Sequence, residues 1–581
     1  MSAKKQMTWD EHKNRSFYRI IEKASIAVTL MGVLIIMILS ERKPLFRGLA
    51  QENLTSISAY AHAIPNQGWA PLTVYFSAFG STSQAGRIIK YEWDLDGNGA
   101  YDFIVSDAGG YAQYTYSKPG TYLISLRITD EAGHSATDQT EIKVLHPTAS
   151  SVDYWKVFQD DSIKKITFRL SQEKWDRLWE DIEAKVTVPV EADIFDQEFS
   201  EVGLRMRGQF SLRESGQKKP WKIDMDYYIS GQEYANLKQL LFINNIGDPT
   251  LMREKLAYEM MRFAGLPASF TSFVEIWFDI SDDAQPAEFW GVYTMIERVD
   301  RKFLANRFGQ DAKDGNLYKA SHAQRGPMDL VYYGDSIYDF PHLNGQVAYG
   351  KMTNEETGDY SDIVKLTRVI DGTTYETPQE FAEALEEIFN VDSFLRYMAV
   401  VDTIMNWDVY PYTGNNYYLF NNPETGKFEW IPWDLTWGDN PHHPVFEATE
   451  PGLVERRPLH TRVFQVPEYR LSYAAYIDLL MRYFFNPQII GEKARSYQEM
   501  IGPLLLQDAG DKMLTGPFDF SPETYNGSWH ALANLVEQRN HYLQTAILDY
   551  QNVPVWRSQS TDVENLLEGE LPIEDKAPIG H

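Results

Sequence analysis

Apolar and polar positions follow three regimes along this chain. Residues 24–40 (ASIAVTLMGVLIIMILS) are an uncharged apolar run with no polar face. Between about Thr55 and Val144 the apolar positions recur at every second residue in short segments. In TYLISLRI, for example, Tyr122, Ile124, Leu126 and Ile128 fall on one face. Gly, Pro and Asn punctuate these segments at regular intervals, which predicts a β-sandwich. From His146-Pro147 onward the periods mix. IKKITFRL alternates as a strand does, and Ser171 then opens an amphipathic helix, SQEKWDRLWEDIEA, with Glu173 in its first turn. EVGLRMRGQFS and PWKIDMDYY read as strands, and Asp248 to Ala264 has helical spacing that stops at Gly265. TSFVEIWFDI and EFWGVYTMIERV are further strands. The remainder is helical apart from one hairpin. The predicted class is α+β, strand-rich in front and helix-rich behind.

These regimes give an expected organisation: a cytoplasmic N-terminus (1–23), a transmembrane anchor (24–40), a linker (41–54), a β-sandwich (55–146), a large α+β domain (147–555) and an acidic, disordered tail (556–581). The apolar run is at the short end of the roughly 17–25 residues that span a bilayer, and longer than the signal-peptide core of about 7–15 residues. Lys4, Lys5, Lys13, Arg15, Arg19 and Lys23 precede it. That bias predicts a single-pass protein with its bulk outside the cytoplasm, at the cell surface or in the periplasm. A cleaved signal peptide is the alternative.

Composition narrows the chemistry. Hydrophobic residues make up 43% and charged residues 23% of the 581, which excludes disorder throughout. Lys and Arg number 54 against 82 Asp and Glu, a net charge of -28 that opposes non-specific nucleic-acid binding. Cysteine is absent, so disulfides, zinc-thiolate sites and thiol nucleophiles are excluded.

Two clusters of oxygen ligands remain as candidates. In the β-region, Asp94, Asp96, Asn98 and Asp102 alternate around Gly99, the spacing of a calcium loop. An EF-hand glutamate is missing, since Val105 holds that place. A self-capping Asx turn is the other reading. In the large domain, a hairpin runs from Asn415–Asn421 through the turn NPETGK to Phe428–Asp434. Folding about that turn brings Asn415 or Asn416 beside Asp434, with Asp408 just ahead of the first strand. Two acids and an amide oxygen at one mouth suit Mg²⁺, which takes its other ligands from waters and phosphates. Protein kinases arrange an aspartate base, an asparagine and a metal-binding aspartate in a similar way. His442 and His443 lack spaced partners and read as loop residues.

The β-region resembles a PKD domain. The matching residues are Ala70-Pro71-Leu72-Thr73-Val74, Tyr91 to Gly99 (YEWDLDGNG) and Pro119-Gly120-Thr121-Tyr122. The resemblance implies an immunoglobulin-like spacer or adhesion module without catalysis. From about Trp155 to Leu543 the chain resembles the spore-coat CotH kinase family, atypical extracytoplasmic protein kinases. The motifs are FQDD (158–161), RMRGQFS (205–211), KKPWK (218–222), REKLAYE (253–259), GVYTMIERVD (291–300), NNYYL (415–419), IPWD (431–434) and PLHTRVFQVPEY (458–469).

That resemblance implies transfer of the ATP γ-phosphate to Ser or Thr of a surface, coat or matrix protein. It implies that Asp408 orients or deprotonates the acceptor and that Asn416 and Asp434 bind Mg²⁺ or Mn²⁺. Lys222 would touch the ATP phosphates, Glu259 would pair with Lys222, and Glu297 is a second nucleotide-site candidate. Arg205, Arg207 and Gly208 would form the phosphate-covering loop. The chain has no G-x-G-x-x-G, V-A-I-K, H-R-D or D-F-G, so it departs from ordinary eukaryotic-type kinases. Val409 follows the base where the family often has Arg or Ser, which bears on substrate choice. Two other classes remain open. Asp408 and Asp434 would serve a secreted polysaccharide hydrolase as acid and nucleophile, or the domain is a catalytically silent adhesion protein.

Overall fold

The computed structural model of this protein describes residues 57–106, 109–146, 155–160, 162–214, 216–280, 286–320, 328–343, 345–446, 456–507 and 522–550. The expected anchor (24–40) and acidic tail (556–581) lie outside the described residues. Among the described residues no helix is long and apolar enough to cross a membrane. The chain divides into two compact units, 1–147 with 379–387 and 148–378 with 388–581.

Residues 57–146 of the first unit are β throughout, and its residues 379–387 are helical. A five-stranded sheet takes the order Gln67–Trp69, Ser135–Leu145, Gly120–Asp130, Ile88–Asp94, Phe103–Val105. A three-stranded sheet joins His62–Ile64, Leu72–Ser77 and Ala112–Tyr116. The alternation read in TYLISLRI holds: Ile124, Leu126 and Ile128 are fully buried against Phe76 and Trp93. Buried indole nitrogens need an acceptor, and Trp93 Nε1 donates to Gly110 O at 2.9 Å. The acidic loop caps itself. The Asp94 carboxylate accepts the amides of Gly97, Asn98 and Gly99 at 2.9, 3.1 and 2.8 Å, and Asn98 Oδ1 accepts Ala100 N at 2.7 Å. The Asx-turn reading therefore describes this loop. Asp94, Asp96, Asn98 and Asp102, the residues expected to bind calcium, lie on this self-capped loop.

The second unit begins with a closed barrel. Its strands are β1 (Lys164–Leu170), β2 (Val188–Ile194), β3 (Gln197–Met206), β4 (Trp221–Asp224), β5 (Gln239–Ile243), β6 (Thr271–Ile280) and β7 (Glu288–Glu297). The order is β1-β2-β3-β4-β5-β7-β6, and parallel pairing of β6 with β1 closes it. Helix α1 (Gln172–Glu180) is capped by Ser171 as its sequence predicts, and its Trp175 packs edge-on against Phe278 and Trp290, both at 5.0 Å. Between β5 and β6 lies α2 (Arg253–Phe263), shorter than the 248–264 expected. The reason is Asp248, whose carboxylate takes the amides of Thr250 and Arg253 at 2.9 and 2.8 Å and turns the chain before the helix starts.

A four-stranded sheet follows in the order β9-β8-β10-β11, from β8 (Asn316–Lys319), β9 (Gly350–Lys351), β10 (Tyr417–Asn422) and β11 (Lys427–Pro432). The last two strands are the predicted hairpin. Helices α3 (Val391–Thr403), α4 (Pro467–Tyr483) and α5 (Pro522–Ala546) make up much of the helical back half.

Candidate active site at the mouth of the hairpin

The register of the hairpin fixes the site. Tyr417 faces Pro432, so Asn416 and Asp434 flank the open end. Behind them Tyr417 stacks on the fully buried Trp430 at 4.1 Å with an 11° tilt, and Phe394 and Tyr410 pack against the same indole. That aromatic wall makes the mouth rigid. Asn416 and Asp434 both adopt left-handed backbone, with φ of 61° and 54°. Asn and Asp tolerate this region better than most residues, and its strain is usual where a side chain must be aimed.

Asp408 arrives from the loop after α3. Asn416 Nδ2 donates to its main-chain oxygen at 2.8 Å and to Oδ2 at 2.9 Å. Asp434 is held through its backbone, its amide donating to Tyr258 Oη on α2 at 3.1 Å. Burial pushes the Asp434 carboxyl up from its ordinary range; Arg207 and Lys319 draw it back and Asp408 pushes it further. The hairpin argument thus brings Asp408, Asn416 and Asp434 together.

Arg207 and Lys319, which act on Asp434, belong to a cluster of cations. Arg205 on β3 lies directly opposite Lys222 on β4. Each alternates with buried neighbours, Leu204 and Met206 on one strand and Trp221 and Ile223 on the other. Like charges directly opposite destabilise a sheet. The cost shows in both groups: burial first, then neighbouring cations, lowers the Arg205 guanidinium and brings Lys222 down to about 8, with Arg298 and Arg205 beside it. Asp224 is 3.6 Å from Lys222. After β3, Arg207 N donates to Pro220 O at 3.0 Å, and Gly208 turns with φ of +92°. A Cβ there would meet only the rotatable Ser211 Oγ, so it is the backbone φ that favours glycine.

Two of the expected roles are corrected. Glu259 does not pair with Lys222. It binds Lys255 at 2.7 Å and Lys493 at 3.0 Å and accepts from Tyr497, because the register of α2 turns it toward that buried cluster. Glu297 is fully buried, with Arg307 at 2.7 Å and Phe270 N at 2.8 Å, and braces the end of β7.

The sequence reading missed three groups. Lys319, at the end of β8 opposite Tyr418, directs its ammonium at the rings of Tyr418 and Trp433, 5.4 and 5.2 Å away. Burial, then Arg207, brings it down to about 8. The Arg207 guanidinium lies 6.0 Å from the Trp433 ring. Arg298 acts on Lys222, Arg205 and Lys319 alike. Glu254, one turn before Tyr258 on α2, has Oε1 buried without a hydrogen-bond partner, and burial beside Asp434 pushes its carboxyl well above the ordinary range. Arg298 and Glu254 lie inside motifs already singled out. No local signal marks Lys319, which only sheet pairing brings here.

The donor set suits a hard divalent cation. Asp434 and Asn416 carry oxygen donors, Glu254 adds an orphaned one, and Arg207 and Lys319 act on Asp434 from beside it. His443 is engaged elsewhere, with Nε2 2.8 Å from Tyr412 Oη.

Comparison with known proteins identifies the family of each region. The sequence model of the PKD domain matches residues 60–144, and that of the CotH kinase protein matches residues 204–543. The chain is 25% identical over 302 residues to inner spore coat protein H of Bacillus subtilis (strain 168), covering 51% of this chain and 75% of that protein. It is 20% identical over 327 residues to invasin CotH3 of Rhizopus delemar, covering 53% of this chain and 50% of the invasin. The chain thus spans three quarters of one curated relative's length and half of the other's. The crystal structure of the PKD1 domain from Vibrio cholerae metalloprotease PrtV is 30% identical, covering 15% of this chain and 96% of that one, with a TM-score of 0.13. The CotH match takes in more than half of the 581 residues, and this chain belongs to the CotH kinase protein family.

Proposed function

We propose that this protein is an atypical protein kinase that transfers the γ-phosphoryl group of ATP to a Ser or Thr hydroxyl of a surface, coat or matrix protein outside the cytoplasm. The observation that carries the reading is the pairing of Arg205 with Lys222 within a group of five cations, two of which, Arg207 and Lys319, act directly on Asp434. Burying like charges together is unfavourable unless an anion joins them. A nucleotide triphosphate is such an anion.

In this reading Asp408 accepts the acceptor's hydroxyl proton as its oxygen bonds to the γ-phosphorus. The bond from that phosphorus to the β,γ-bridging oxygen breaks, and ADP leaves. Asn416 orients Asp408 through its two hydrogen bonds. Asp434 and Asn416 would hold Mg²⁺ or Mn²⁺, with Glu254 beside them. The cation neutralises phosphate charge when bound. Lys222, Lys319, Arg205, Arg207 and Arg298 hold the phosphates, and the Gly208 turn lets backbone approach them. The β-sandwich acts as a spacer, and the 24–40 run as the membrane anchor. A glycoside hydrolase built on Asp408 and Asp434 would have no use for this cation group.

The test is incubation of the full-length protein with γ-labelled ATP and Mg²⁺ or Mn²⁺. Wild type labels itself or an added coat or matrix protein. Asp434→Ala loses on the order of a hundredfold or more, because an anionic metal ligand contributes several kcal/mol to the transition state. Equal labelling by the two proteins sinks the metal role. Release of reducing sugar from oligosaccharides by wild type, with no labelling, selects the hydrolase instead.

A further inference from the structure

Three residues that the proposed chemistry does not use form a buried chain behind the site. Asp402 ends α3, six residues before Asp408, and is 1% exposed. Its Oδ1 accepts Tyr412 Oη at 3.2 Å, and its Oδ2 accepts Tyr473 Oη from α4. Tyr412 lies between Asp408 and Asn416 in the chain, and its Oη contacts His443 Nε2 at 2.8 Å. His443 belongs to the loop that leaves Asp434. Arg539 of α5 ties the same two segments through main-chain oxygens, to Asp402 O at 2.6 Å and Pro441 O at 3.0 Å, and to His443 O. The loops also touch directly. Gly438 N donates to Ile404 O at 3.0 Å, and a Cβ on Gly438 would come within 2.2 Å of Met405 O.

We propose that Asp402 is a positioning residue for phosphoryl transfer: through Tyr412 and His443 it binds the loop carrying Asp408 to the loop carrying Asp434, and so holds the base and the metal carboxylate at a fixed spacing. The functional half of this statement rests on the kinase reading, whereas the tie between the loops does not. Rate depends steeply on such spacing, and an error near 1 Å costs about a hundredfold.

The chain also has a polarity. The groups facing Asp402 are Tyr412, Tyr473, Tyr397 and Arg539, with His443 and Tyr542 one contact further out. Burial pushes the Asp402 carboxyl up to about 6, while Tyr473, Arg539 and Tyr412 draw it back. Burial, and Arg539 beside it, brings the His443 ring down to about 4, so it stays neutral at higher pH. With Asp402 ionised, Tyr412 donates to it and accepts from His443 Nε2–H. With Asp402 protonated, the carboxyl gains a donor and the run of hydrogen bonds from Asp402 to His443 can reverse. The tie is therefore firm above about pH 6 and altered below it.

The experiment compares wild type, Asp402→Asn and Tyr412→Phe, which deletes one oxygen and nothing else, by amide hydrogen exchange and by steady-state phosphorylation from pH 5 to 8. Exchange in 404–409 and 435–443 is expected to quicken together in both variants at pH 7, with residues 271–297 unchanged. The activity expected is a kcat lower by about tenfold to a hundredfold at an unchanged KM for ATP, and an acid limb near pH 6 that Asp402→Asn removes. Unchanged exchange in Tyr412→Phe, or quickening of one segment alone, overturns the tie. A raised KM with normal kcat, or an acid limb retained in Asp402→Asn, overturns the positioning role. If wild type phosphorylates nothing, the kinase reading and the positioning role fall together, and the exchange data alone decide whether the tie exists.

Discussion

Asn416 donates its side-chain amide to both the main-chain oxygen and the carboxylate of Asp408, at 2.8 and 2.9 Å. With both amide contacts spent on the base, its Oδ1 is left to face a cation. One asparagine therefore links the residue that would receive the acceptor proton to the residues that would hold the metal. Asp408→Asn is expected to lower kcat by about 10²–10⁴ with MgATP binding retained, the range for loss of a positioned general base. Asn416→Ala should lower both kcat and metal affinity. Steady-state kinetics across a Mg²⁺ titration separate the two, and a full-rate Asp408→Asn removes Asp408 from the chemistry.

Lys222 gives nucleotide binding a pH dependence. Burial, with Arg298 and Arg205 beside it, brings its ammonium down to about 8 from 10.5. The charged form attracts phosphate, so affinity for MgATP should fall as pH rises through about 8 in the free protein. Lys222→Arg, whose guanidinium keeps its proton, should reduce that dependence to the share left by Lys319, which is also brought down to about 8. Calorimetric titration with a non-hydrolysable ATP analogue from pH 7 to 9 measures it, and an equal slope in both proteins refutes the assignment.

At Gly208 the expected effect is on the nucleotide loop. The φ of +92° makes any L side chain costly there. Gly208→Ala should raise the KM for ATP and lower stability by about 1–2 kcal/mol, the penalty for forcing an L-residue into this region. Chemical denaturation and ATP titration check the two parts.

Glu297 and Arg307 test the correction made above. Arg307→Met leaves a fully buried carboxylate without its guanidinium and should cost about 3–5 kcal/mol. The KM for ATP in the surviving folded protein should match wild type. A large KM change with little loss of stability would return Glu297 to the nucleotide site.

Glu254 sets a stability trend with pH. Its carboxyl is pushed up by burial next to Asp434. A raised acid contributes stability that is complete below its unfolded value and is lost as pH rises through the folded one. Glu254→Gln mimics the protonated form, so its melting temperature should fall less than that of wild type as pH rises above the free glutamate value of 4.5 in metal-free buffer. Parallel curves contradict the burial of charge at this position.

The alternation in TYLISLRI, the Ser171 cap and the NPETGK turn each depend on neighbours within a few residues. The sequence therefore determined the β-unit, the strand-rich front and helix-rich back of the second unit, and the hairpin whose mouth gathers Asp408, Asn416 and Asp434. The helix around 248–264 came out too long because periodicity does not report that the Asp248 carboxylate takes backbone amides. Tertiary structure alone decided which charges meet. Lys319 joins the site through strand pairing with Tyr418, Glu259 leaves it through the register of α2, and Asp402 reaches His443 only because Tyr412 stands between them. Such contacts join residues far apart in the chain, and their energies depend on burial and on the field of neighbouring charges, neither of which any local pattern of residues records.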